Sequence, residues 1–274
     1  MHESVGETWD DFEAWVAKRR AFFTERKAKA ITGYVSQPLF RGHGSSTWKL
    51  ETTLERFPGA SVRVADYFEK IDWVKSSIES LTSQAWEPID FPACLDWLRN
   101  DLAFTKGLPH YEYLVHLRHH GFPSPLLDWS RSPFVAAFFA FKEAPQTGGQ
   151  VAVYSFMEYT GGVKSGSNTA PMIYGQGPHV RTHKRHVLQQ AQYTICVTRA
   201  NEEWYFAPHE DALLNNELFT DQDDLWKISL PASLRAEALK QLDQFNLNPF
   251  SLFQTEDSLM ETMATRAFTF DRRG

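Results

Sequence analysis

The stretch from Leu126 to Phe141 constrains the fold more than any other part of this sequence. A short stretch, Leu126-Leu127-Asp128-Trp129, gives way to Ser130-Arg131-Ser132, then to Pro133 and eight consecutive apolar residues, Phe134 to Phe141. Proline suits the first turn of a helix. The pattern therefore reads as a buried strand turning directly into a helix, Phe134 to Lys142, that is apolar on every face. Such a helix has to lie between a sheet and other helices. Eight apolar residues fall well short of the ~20 that span a bilayer, and no longer run occurs, so no membrane partner is expected.

The remaining signals surround that unit with helices. Thr8 is an N-cap, with Asp11 three residues on, for a helix over 8–29 whose Phe12, Trp15, Val16, Arg19, Phe22 and Phe23 recur at helical spacing. Helices are expected over 61–83 and 91–106, and over His110 to His120, ended by Gly121 and Pro123. Further helices are expected over Ser233 to Phe245 and Asp257 to Ala264. Strands are expected over Tyr34 to Arg41, Gln150 to Met157, Tyr193 to Val197 and Trp226 to Leu230. Tyr159 to Pro178, rich in Gly, Ser and Pro, reads as a long loop. Strands crowd the middle and helices the flanks, so the expected fold is α+β. No stretch looks like an interdomain linker. The expectation is a helical N-terminal segment, 1–33, packed on one domain, 34–274.

Charge and composition exclude several functions. Two cysteines, Cys94 and Cys196, cannot build a disulfide framework and suit a reducing cytosol. Met1 to Glu7 is acidic and polar, unlike a signal peptide, so a cytoplasmic location is expected. The net charge of −6 argues against a dedicated duplex-DNA binder. Charge is unevenly spread, however. No acid lies between Glu158 and Glu202, where Lys164, Arg181, Lys184, Arg185 and Arg199 give +5, and eight acids follow between Glu202 and Asp224. A basic stretch in an acidic chain fits one anionic ligand, or else a solvated face. There is no P-loop, no dinucleotide-binding glycine fingerprint and no G-x-S-x-G elbow. His116, His119 and His120, and His179, His183 and His186, stand at helical spacing. No carboxylate or thiol accompanies either set at ligand spacing, so polar or ligand-contacting roles are expected and no metal site is assigned.

Three segments carry candidate chemistry. In Phe40-Arg41-Gly42-His43-Gly44, glycine beside an arginine at a strand end would let backbone approach a ligand. The guanidinium fork fits phosphate; alternatively, Arg41 forms an ion pair with Glu55 or Asp128. In Asp128-Trp129-Ser130-Arg131-Ser132, Ser130 either caps the following helix or, like Ser132, bonds a ribose. In Arg185-His186-Val187-Leu188-Gln189-Gln190-Ala191-Gln192-Tyr193, amides stand beside basic and aromatic groups, which suits a nucleotide.

Together these segments resemble the FRG domain. Phe40-Arg41-Gly42, Trp48-Lys49-Leu50 and Leu54-Glu55-Arg56 match its opening pattern, with His43 where glutamine is usual. His119, Gly121, Pro123, Leu126, Leu127, Asp128 and Trp129 match its middle pattern, with Arg118, Pro125 and Ser130 replacing Gln, Arg and Thr. Arg185, Val187, Gln189, Ala191 and Tyr193 follow the third pattern, and Leu234 to Leu242 with Ser251-Leu252-Phe253 the fourth.

The motif order is similar to that of the ADP-ribosyltransferase superfamily, which binds NAD in a cleft of a small split β-sheet. By that resemblance Arg41 and Arg185 would hold phosphates, with Gly42, His43, Ser132 and Tyr193 around the ligand. Ser130 would position the ribose. Gln189 would orient its 2′-OH from the strand position where a catalytic Glu is usual, and Asp128 or His119 would move the proton. The resemblance implies NAD as substrate and an RNA, DNA or protein acceptor. It further implies a bacterial toxin or anti-phage effector with a neutralising partner. The alternative is a non-catalytic nucleotide-sensing or protein-interaction module.

Overall fold

The computed structural model describes residues 1–30, 33–60, 62–162, 164, 169–214 and 222–270. Its centre is one mixed sheet of eight strands. These are β1 (His2–Val5), β2 (Leu39–His43), β3 (Leu127–Ser130), β4 (Gln150–Tyr159), β5 (Met172–Gln176), β6 (Ala191–Ala200), β7 (Glu203–Phe206) and β8 (Gln222–Pro231). They run in the order β1-β8-β4-β2-β3-β6-β5, with β7 also on β6. Among the described residues only β1 and β8 are parallel.

The sheet is pinched in the middle. Between β2 and β3 a single residue pair is in register, Phe40 opposite Ser130, whereas β2 and β4 share five such pairs. Helices cover the sheet in two blocks, one on each side of that pinch. Strand neighbours point the same way, so Phe40, Ser130, Ala191 and Tyr193 face one side of the sheet. On that side α1 (Trp9–Lys29), α5 (Pro133–Lys142) and α8 (Arg235–Gln244) pack over β8, β4 and β2. Likewise α2 (Val64–Thr82), α3 (Phe91–Leu98) and α4 (Tyr111–His119) pack over β6 and its neighbours. A cleft is left between the blocks.

Local signals explain these elements. Thr8 accepts from the Asp11 amide and Asp11 answers through its side chain, a full capping box at the start of α1. Arg19, in the buried stripe of α1, is fully buried. Its Nε donates to Ser155 Oγ at 2.8 Å and its Nη1 pairs with Asp224, so a charge sits in the core with its partners. On α5, Phe138 and Phe141 are buried, and Ala136 and Ala140 press against β2 at Gly42.

Several expectations are corrected. The strand expected over Tyr34 to Arg41 begins only at Leu39, because Pro38 lacks an amide for the ladder. The helix expected over 91–106 ends at Leu98 and resumes as a 3₁₀ turn, Ala103–Lys106. Asn100 bonds the Leu102 amide between them. The loop expected over Tyr159 to Pro178 contains β5, and the acidic run contains β7, each of only four or five residues. The N-terminal segment is not helical throughout, since β1 extends the sheet along β8. Two of the five cations of the +5 stretch are consumed within the fold. Lys164 is buried against Glu158 and Asp223, and Arg199 pairs with Asp101. Of the rest, Arg181 lies beside Glu112 at the surface, Lys184 Nζ donates to the Gln254 carbonyl at 3.4 Å, and Arg185 enters the cleft.

Candidate functional site: a cleft at the pinch in the sheet

The cleft has a volume of about 180 Å³. One wall is β2 and β3, bringing Arg41, Gly42, Asp128 and Ser130. A second is α4, bringing Arg118 and His119. The third is the short helix α6 (Arg185–Leu188) with the turn into β6, bringing Arg185, Gln189 and Tyr193. Phe139 of α5 and Phe253 of α9 (Pro249–Phe253) make an aromatic side. Residues distant in sequence thus meet because β3 and β6 are neighbours while β2 and β3 part.

Arg41 explains how the pinch is held. Past the Phe40–Ser130 pair, the Asp128 carbonyl has no ladder donor from β2. Arg41 Nη1 supplies it at 2.8 Å and also reaches Asp128 Oδ1 at 2.8 Å. Its Nε donates to His43 Nε2 at 2.9 Å. Of the two ion-pair partners open from the sequence, Asp128 is the one observed. Arg118 Nη2 donates to the same Oδ1. Burial would raise the Asp128 carboxyl, but the charges of Arg118 and then Arg41 overcome it and hold the group well below the usual carboxylate range. An acid held this firmly ionised is a weak base, which counts against Asp128 as a proton carrier.

Gly42 is required for a close approach, but by a helix rather than a ligand. A Cβ there would run into the Ala136 carbonyl and lie 2.7 Å from the Ala140 amide nitrogen, both on α5. His43 is buried behind Arg41 and is not among the residues lining the cleft. Burial, reinforced by the Arg41 charge, pushes its pKa down to about 3. Ser132 also lies outside the lining. Its Oγ accepts from the Val135 amide at 3.3 Å, so Ser132 caps α5, not Ser130. Ser130 instead donates to the Gln189 carbonyl at 2.7 Å, tying β3 to the end of α6.

Gln189 is the C-cap of α6 rather than a strand residue, and its Nε2 donates to the Leu252 carbonyl at 3.3 Å. Arg185 lies over the Phe253 ring at 5.3 Å, and its Nε is a buried donor without a partner. The same holds for Arg118 Nε. Three guanidiniums face one carboxylate in this lining, leaving the cleft cationic. His119 Nε2 meets the Tyr193 hydroxyl at 2.8 Å. Burial pushes the His119 pKa down to about 4 and raises the Tyr193 phenol.

Arg118, Phe139 and Phe253 join the lining without a role implied by the sequence. The signal for Arg118 was its replacement of a family glutamine; the two phenylalanines are indistinguishable from core by pattern. The histidine sets divide. His116 packs against His120 with tilted rings, centroids 4.3 Å apart, whereas His119 and His186 both turn to Tyr193. Among the described residues no group of three or more His, Cys, Asp or Glu side chains is arranged to hold a metal ion. No helix among them is long and apolar enough to cross a membrane.

No curated protein and no solved structure matches the chain. Residues 36–148, which carry β2, α2 to α4, β3 and α5 and so two of the three cleft walls, match the FRG domain family.

Proposed function

We propose that the cleft binds NAD and supports transfer of its ADP-ribose to a macromolecular acceptor. The observation that carries this reading is the cationic lining with two buried, unpartnered guanidinium donors, Arg118 Nε and Arg185 Nε. An unsatisfied buried donor is costly, and a pyrophosphate oxygen would satisfy it with charge-assisted hydrogen bonds. Phe139 offers an aromatic surface to a base, edge-to-face with a Phe253 ring that carries Arg185. In the transfer, the bond from ribose C1′ to nicotinamide breaks and its electron pair leaves on the nicotinamide nitrogen. A nucleophile of the acceptor bonds to C1′ and gives up its proton. Arg185 in the cleft and Lys184 at its rim, bonded to the Gln254 carbonyl, suit an RNA or DNA acceptor; a protein is the other candidate. A cytoplasmic toxin or anti-phage effector, held in check by a neutralising protein, is the setting this activity fits.

One observation favours the non-catalytic alternative. Asp128 is the only carboxylate of the lining, and two arginines already claim it. A nucleotide sensor needs no base or oxocarbenium-stabilising acid.

The test is NAD labelled in its adenine, incubated with protein, chelator and cell lysate. Free nicotinamide and label on RNA, DNA or protein are followed alongside melting temperature. Ligand at a hundred times its Kd should add about 2.7 kcal/mol of stability. Binding with nicotinamide release supports transfer, and binding without release supports the sensor. No binding overturns both.

A further inference from the structure

Tyr193 stands between two imidazoles, and the hydrogen-bond donors in that chain can be counted. His186 Nε2 lies 2.9 Å from the Pro178 carbonyl. A carbonyl only accepts, so Nε2 carries the proton, and neutral His186 keeps a lone pair on Nδ1. The Tyr193 hydroxyl lies 3.5 Å from that Nδ1 and 2.8 Å from His119 Nε2. Tyr193 has one proton to give. Directed to His119, it would leave His186 Nδ1 without a donor beside a hydroxyl. Directed to His186, it satisfies both contacts, because His119 Nε2–H then donates to the phenol oxygen. That arrangement uses every group in a buried chain, where an unmade bond is expensive.

We infer that the chain Pro178–His186–Tyr193 fixes the tautomer of His119, leaving the Nδ1 lone pair of His119 free in the cleft as the proton acceptor of the transfer reaction. This rests on the reading of the cleft given above. His119 lines the cleft, and its Nδ1 makes no hydrogen bond among the described residues. With a pKa pushed down to about 4, the ring is neutral at pH 7 and keeps a lone pair to accept with; it is a weaker base than a free imidazole but a stronger one than Asp128, which two arginines hold ionised. In the step itself, the acceptor nucleophile bonds to C1′ as nicotinamide leaves with the C1′–N pair. The nucleophile's proton passes to His119 Nδ1, and the resulting imidazolium keeps its Nε2–H bond to Tyr193. His119 is then the catalytic residue; Tyr193 and His186 are positioning residues. Their rings also stack, 5.8 Å apart at 17°, which holds the two in register.

The test is nitrogen-15 NMR of the full chain labelled at histidine, at pH 7 without ligand. The wild type should show His119 protonated at Nε2 and bare at Nδ1. His186→Phe keeps the stacked ring but removes the lone pair that takes the tyrosine proton. Tyr193 should then donate to His119, and the His119 proton should move to Nδ1. Tyr193→Phe should leave the His119 tautomer unfixed. On nicotinamide release, His119→Ala should lower kcat by about a hundredfold or more. His186→Phe should lower it with KM for NAD unchanged. A wild-type His119 protonated at Nδ1, or a tautomer unmoved in His186→Phe, overturns the relay whether or not NAD is cleaved. The expected tautomers in a protein that binds NAD without releasing nicotinamide support the relay and overturn only the transfer step.

Discussion

On the β2 side of the cleft, Arg41 is spent on the protein. It meets the Asp128 carbonyl, the Asp128 carboxylate and His43, and its side chain is 12 % exposed. On the α6 side, Arg185 makes no ion pair among the described residues, rests on the Phe253 ring and keeps a buried Nε without a partner. The two arginines line one cavity and carry the same charge, yet one holds the split sheet together while the other is available to a ligand. A strand-end arginine in a motif is therefore not by itself a ligand contact. What its guanidinium already bonds decides its role. The strand wall should answer to stability measurements and the α6 arm to binding measurements.

The largest expected effect is on the strand wall. Gly42→Ala sets a methyl group against the backbone of α5, which cannot yield without moving the helix off the sheet. A loss of at least about 3 kcal/mol is expected in urea unfolding. A loss under 1 kcal/mol would show that α5 is free to shift and that the wall is softer than its packing implies.

Next comes the direct contrast. Arg41→Ala removes the donor that replaces the missing ladder bond, while Asp128 keeps Arg118 and part of its solvent. We expect a cost of about 2 kcal/mol, below that of stranding a fully buried charge. Arg185→Ala should cost under about 1 kcal/mol, the scale of its contact with Phe253, yet weaken NAD binding about tenfold or more. Melting temperature and NAD affinity, measured on both variants, settle it. Equal effects on stability would erase the distinction between the two walls.

Acid should loosen the walls of the cleft through their buried histidines, the strand wall through His43. His43, and His209, whose Nε2 meets Thr194 Oγ1 of β6 at 2.9 Å, are buried and neutral, each with a pKa pushed down to about 3 by burial and then by the Arg41 charge. The unfolded chain binds these protons near pH 6.5. The stabilisation is therefore complete above pH 6.5 and declines as pH falls toward 3. From pH 7 to pH 6 the two together should cost about 1 kcal/mol. Protonated His43 would no longer accept from Arg41, so His43→Gln should flatten the slope. An unchanged slope would place the acid sensitivity elsewhere.

The smallest effect sharpens the arm. Gln189→Ala loses a single 3.3 Å bond to the Leu252 carbonyl and should cost about 0.5 kcal/mol. A larger loss, seen as faster amide exchange in α9, would mean that α6 is latched more firmly than this contact indicates.

Much of the local structure was legible in the chain. Thr8 and Asp11 form a capping box, Pro133 opens α5, and Gly121 lies just past α4 with a positive φ. These features depend on neighbours a few residues away, so a linear pattern records them. The members of the cleft were legible as well, because Arg41, Asp128, Ser130, Gln189 and Tyr193 each lie in a recognisable segment. Their roles were not. Gly42 admits a helix because α5 crosses β2 there, and Ser132 caps α5 while Ser130 reaches Gln189. β5 and β7 leave no strand pattern in the chain because each is short and gains its place from β6, not from its own alternation. The sequence by itself determined which side chains enter the elements around the pinch. Only the tertiary structure decided which guanidinium is satisfied and which is left open. Hydrogen-bond partners are allotted by through-space distances between β2, β3, α4 and α6, and no spacing along the chain encodes those distances.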